Sequence, residues 1–131
     1  MVAVTALYAG ILALVLVGLS LYVVRGRWAN KVSVGDGGNA DMLTRMRAHA
    51  NFIEYVPIAL IGLYLLEVTR HSVYLLHVLG IALVVARLMH PIGMVRKSPN
   101  PFRAGGAVIT LTVLIVEGVL LILAFFAGSL P

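Results

Sequence analysis

The chain has 131 residues, 61% of them hydrophobic and 11% charged, with a mean hydropathy of +1.03 and a formal charge of +5. A soluble domain of this size cannot hide so much apolar surface, so an integral membrane protein is expected. There is no cysteine, which excludes disulfides, thiolate metal sites and a cysteine nucleophile. The histidines show no paired ligand spacing, so no metal site is expected either.

Four apolar runs, about residues 2–24, 43–66, 73–95 and 104–127, account for nearly all of the chain. Each is long enough to cross a bilayer, which takes roughly 20 helical residues. The first run has no basic segment before it and no small-residue cleavage pattern after it, so it reads as a retained helix, not a signal peptide. Gly35-Asp36-Gly37-Gly38 is a turn cluster without the lysine and hydroxyl of a phosphate loop. Asp41 is the expected cap of the second helix. The Thr69-Arg70-His71-Ser72 turn is short enough to force helices two and three antiparallel. Ser98-Pro99-Asn100-Pro101 breaks the third helix, with Asn100 as cap and Pro101 in the first turn of the fourth. Gly10, Gly18, Gly105, Gly106 and Gly118 allow close packing in lipid. The expectation is one all-α membrane domain over residues 1–131, an antiparallel bundle of four transmembrane helices in contact with membrane lipid.

The positive charge does not point to nucleic acid, because it is placed as topology requires. Arg25, Arg27, Lys31, Arg45 and Arg47 lie in or beside the first loop, and Arg96, Lys97 and Arg103 in the third. Only Arg70 lies on the other side. Lysine and arginine collect on the cytoplasmic side, so both termini are expected to be extracytoplasmic.

One segment departs from apolar patterning: Arg47-Ala-His49-Ala-Asn51-Phe-Ile-Glu54-Tyr55-Val-Pro57. The unbroken apolar stretch from Tyr55 to Leu66 is too short to span, so the membrane helix must draw in Glu54, Asn51 and Arg47. Ionisable groups at membrane depth usually mark a site. At 100° per residue Arg47, Asn51 and Glu54 fall within about 60° of one another, with His49 opposite. Arg87, His90 and Met94 share a face of helix three, and Glu54 is expected to pair with Arg87. Pro57 and Pro91 free the carbonyls of Ile53 and Arg87 beside these groups. An arginine and an asparagine beside a carboxylate can hold a ligand's carboxylates, amine and peptide groups. His77 reads as a core histidine and His71 as a turn residue. Glu117 stands alone in helix four, either to pair with a neighbouring subunit or to stay protonated. The opposite facing of His49 suggests a second interior, against another subunit.

The Arg47–Pro57 segment resembles the helix-two signature of the MAPEG family, the membrane-associated proteins in eicosanoid and glutathione metabolism. Ala86-Arg87-Leu88-Met89-His90 resembles the helix-three motif, and the loop glycines look closest to the bacterial branch. The resemblance implies a homotrimer in a bacterial inner membrane, with glutathione bound between subunits and open to the cytoplasm. By residue it implies glutathione contacts from Arg47, Asn51, Glu54 and Tyr55, with His49 reaching in from the adjacent subunit. Arg87 and His90 join this set from helix three. Arg27 is a looser match in the first loop, and Arg103 is implied as the group near the sulfur that activates the thiol. Met94 and Ala104 stand where members of the family carry a tyrosine and a serine, so two hydroxyls are missing.

The leading function is thus a glutathione-dependent transferase or peroxidase for small lipophilic electrophiles. The alternative is a non-catalytic lipid-binding or scaffold protein of the same fold. A proton-coupled multidrug exporter would need a glutamate in helix one, which has no acid.

Overall fold

The computed structural model describes residues 3–96 and 99–128; Val2, Lys97 and Ser98 of the sequence reading lie outside them. Four α-helices follow in order: α1 Val4–Asn30, α2 Ala40–Val68, α3 Val73–Met94 and α4 Pro101–Phe126. All four are long and apolar enough to cross a membrane.

The ends of the helices show why these segments form. Asn100 caps α4 as expected, its side-chain oxygen accepting from the Phe102 and Arg103 N–H groups at 2.9 and 3.4 Å, with Pro101 the first helical residue. The cap of α2 is Asn39, which accepts from the Met42 N–H at 3.0 Å; Asp41 is in the first turn and holds Arg45 at 2.9 Å. The α1 helix runs past its apolar stretch to Asn30, and ends where Lys31 turns left-handed at φ 54°. Arginine and tryptophan extend a helix as readily as valine does, so polarity alone does not end one. The following loop passes through Gly35, Gly37 and Gly38 at φ 67°, 60° and 71°, angles glycine adopts freely.

The first turn of α1 has no cap of its own. Glu67, near the end of α2, supplies it: its carboxylate accepts from the Ala3, Val4 and Thr5 N–H groups, each at 2.8 Å. A negative charge on these unpaired donors satisfies them and opposes the helix dipole.

Two apolar clusters hold the helices together. Val4, Tyr8, Leu63, Leu66, Leu76, Leu79 and Val113 pack towards the Glu67 end. Leu12, Leu19, Phe52, Val56, Ala59 and Leu83 pack between α1, α2 and α3. Glycines permit the closest approaches: a Cβ at Gly80 would collide with the Tyr8 ring, and one at Gly93 with the backbone of Arg103. Many large apolar side chains, such as Leu14, Ile58, Ile61 and Ile115, face outward, as a lipid-facing surface requires.

Candidate functional site

The site grows from one arginine. Arg87, on the buried face of α3, is 2% exposed. Its guanidinium donates to Asn51 Oδ1 on α2 at 2.9 Å, to the Gly106 carbonyl on α4 at 3.2 Å, and to the Thr110 hydroxyl. Thr110 in turn donates to the Gly106 carbonyl at 2.8 Å. Of the three guanidinium nitrogens, Nε has no partner among the described residues. A guanidinium keeps its charge at any physiological pH, so a buried one must be surrounded by acceptors, and two helices, α2 and α4, supply them.

This geometry overturns the expected Glu54–Arg87 pair. Glu54 lies 3.7 Å from Arg47 instead, and both side chains are about half exposed, at 48% and 56%. The helical wheel put all these residues near one face of α2, but Asn51 points inward and Arg47 and Glu54 lie on the outer flank. The acceptors for Arg87 on α4 are a backbone carbonyl and a hydroxyl, which carry no charge signal in the sequence. A threonine about two and a half turns from the helix start was the available clue.

Asn51, Tyr55, Arg87, Thr110, Ala107 and Leu111 line a cavity of about 40 Å³. The Tyr55 ring centroid is 5.8 Å from the Arg87 guanidinium. His90 is buried one turn from Arg87, against Gly106. With its carbonyl oxygen held by Arg87, Asn51 retains its NH2 as the group that can meet a ligand.

The remaining residues of the sequence reading stand apart from this cavity. His49 faces α1 and meets the Ser20 hydroxyl at 3.2 Å. That hydroxyl donates to the Leu16 carbonyl, so the imidazole nitrogen is the donor. The opposite facing of His49 is accounted for within one chain, since α2 packs against α1 as well as α3 and α4. It does not require a second subunit. Arg27 donates to the Ser33 and Gly35 carbonyls at 3.2 and 3.1 Å and so shapes the first loop. Arg103 is exposed in the first turn of α4, near the end of α3. Met94 and Ala104 bring no hydroxyl to this end. Among the described residues no group of three or more acidic, histidine or cysteine side chains is arranged to hold a metal.

Outside the site, His77 is hydrogen-bonded as expected, its Nδ1 2.8 Å from the Tyr8 hydroxyl, but it is only part-buried and not a full core residue. His71 lies in the turn after α2 and bonds Thr69.

Four membrane-length helices with a buried arginine network, and an exposed ion pair beside it, define a small integral membrane protein with a polar site at one end. The MAPEG family model matches residues 5–123, and the chain belongs to this family. It is similar to the inner membrane protein YecN of Escherichia coli K12, at 40% identity over 90 residues, 69% of each chain. The same protein of E. coli O6:H1 strain CFT073 matches equally well. No solved structure matches the chain.

Proposed function

We propose that the protein is a glutathione-dependent membrane transferase or peroxidase for lipophilic electrophiles, working as a homotrimer of antiparallel four-helix bundles in a bacterial inner membrane. Family membership and the inner-membrane relative support the class and the location. The observation that carries the reading is the Asn51–Tyr55–Arg87 cavity beside the half-exposed Arg47–Glu54 pair. Cations for carboxylates, a carboxylate for an amine and an amide for a peptide group are the partners that glutathione needs. The cavity of about 40 Å³ has room for a few waters at most, far too little for a tripeptide. The rest of the site is therefore assigned to the boundary between subunits, where Arg47, Glu54 and Arg103 of one chain meet the first loop and His49 of the next.

In this reading Arg87 is a positioning residue: three of its bonds are committed, and it fixes the Asn51 amide. Arg47 and Glu54 bind the charged ends of the tripeptide, which supplies a thiol nucleophile. Arg103 stabilises the thiolate as the proton leaves, since a nearby cation lowers a thiol's pKa. Substrate arrives through the bilayer and glutathione from the cytoplasm, which is the side of the basic loops if both termini are extracytoplasmic.

The test is conjugation or hydroperoxide reduction by purified protein with and without glutathione. Arg103→Ala should lower turnover about tenfold or more while changing binding little, one pKa unit being worth about 1.36 kcal/mol. Arg47→Ala should mainly weaken binding. Turnover untouched by Arg103→Ala but abolished at Tyr55 or His90 would move the thiol activator elsewhere. The scaffold alternative has its own support: Arg103 lies outside the Arg87 cavity, and Met94 and Ala104 add no hydroxyl. Glutathione-independent function with no turnover would favour it.

A further inference from the structure

Arg87 has hydrogen bonds but no countercharge. Its acceptors are an amide oxygen, a backbone carbonyl and a hydroxyl, all of them neutral. The ion pairs among the described residues, Asp41–Arg45 and Glu54–Arg47, lie elsewhere. Arg87 is seven residues before Met94, about 10 Å along α3, and therefore inside the apolar layer. A charge buried there is costly even when hydrogen-bonded, and a countercharge lowers that cost. The polar groups left free on the walls of the adjoining cavity can all donate. A guanidinium only donates, so Asn51 must face it with Oδ1, which leaves the Asn51 NH2 unbonded. Thr110 accepts from Arg87 and gives its own proton to the Gly106 carbonyl. The Tyr55 hydroxyl has no partner among the described residues, and neither it nor Asn51 Nδ2 is closed off as Arg87 Nε is.

We propose that this cavity binds a small monovalent anion of the chloride class, held by the Asn51 NH2 and the Tyr55 hydroxyl, as the countercharge of Arg87. The guanidinium acts on the ion through space, where low polarity makes the attraction strong, so no contact with Nε is needed. A volume of about 40 Å³ has room for such an ion. Water alone would leave the charge uncompensated. A metal cation would be repelled, and among the described residues no cluster of ligands exists for one. The chain has no carboxylate free for this task. Of its five acids, Asp41 and Glu54 hold arginines, Glu67 caps α1, Asp36 accepts from the Gly38 N–H, and the Glu117 oxygens are closed off. A second copy brings the same five, so the countercharge is assigned to a solute ion. The anion site does not rest on the glutathione reading, although both use the Asn51 amide.

Equilibrium dialysis of labelled chloride against the purified protein in mild detergent tests this, with sodium gluconate as the background salt and no glutathione. Gluconate is too large for the cavity. Wild-type protein should take up one saturable chloride per chain. Tyr55→Phe should weaken that binding about tenfold or more, the effect of losing a hydrogen bond to a charged group. Ala107→Leu keeps every polar group and fills the cavity, so it should abolish uptake. Circular dichroism checks that both variants keep their helices. Arg87→Met is less suited, because it also removes the bonds that tie α3 to α2 and α4. No saturable chloride on wild-type protein would overturn the proposal and leave the cavity to water. So would uptake by either folded variant equal to that of wild type, which would make the chloride an adventitious ion only. Glutathione is absent throughout, so failure here leaves the enzyme reading untouched, and failure of glutathione binding leaves the anion site standing.

Discussion

Arg87 and Glu117 are buried to nearly the same degree, 2% and 3% exposed, yet their surroundings differ completely. Arg87 has acceptors from α2 and α4, whereas Glu117 has no hydrogen-bond partner among the described residues and lies beside an apolar cavity. A guanidinium cannot shed its charge, so a fold that buries one must bring acceptors to it. A carboxyl can be carried as the neutral acid, so a fold can leave it unpaired. The first arrangement makes a rigid polar corner, and the second leaves an unmet demand. A third acid, Glu67, lies between these extremes: it is satisfied, but by backbone N–H groups of another helix.

The sharpest way to break the contrast is to remove each group and measure unfolding in detergent. Arg87→Met should cost about 2–4 kcal/mol, because three hydrogen bonds from one charged group are lost and Asn51 is left without its partner. Glu67→Ala should cost less, about 1–2 kcal/mol, the range for removing a helix cap. Glu117→Gln should change stability by no more than about 0.5 kcal/mol, since no bond is lost. Glu54→Gln should be equally mild, because its partner Arg47 is half exposed and such pairs contribute little. A Glu54→Gln loss as large as that of Arg87→Met, with partial recovery in the double variant, would restore the discarded Glu54–Arg87 pair. Additive effects would confirm that the two do not touch.

Much of the architecture was legible because long apolar runs have few alternatives. Four runs gave four helices, and Asn100 with Pro101 announced the start of α4 correctly. The boundaries failed where they depend on local chemistry without hydropathy, as at Asn30 and at the Asn39 cap. The site was legible as a set of residue types on α2 and α3, and Asn51, Tyr55 and Arg87 do line one cavity. Their partners were not legible, because periodicity gives the direction of a side chain but not which helix it meets. Thr110, the Gly106 carbonyl and Ser20 became partners only through the packing of α1 and α4. The role of Glu67 was hidden for the same reason, since the N–H groups it caps lie more than 60 residues away.

The most direct test of the central claim is a glutathione titration of the purified protein in mild detergent, read by calorimetry. Saturable binding at or below millimolar glutathione, weakened by Arg47→Ala and retained in Glu117→Gln, is the expected result. No binding by the wild-type protein at millimolar glutathione would contradict the enzyme reading and leave the scaffold protein in its place.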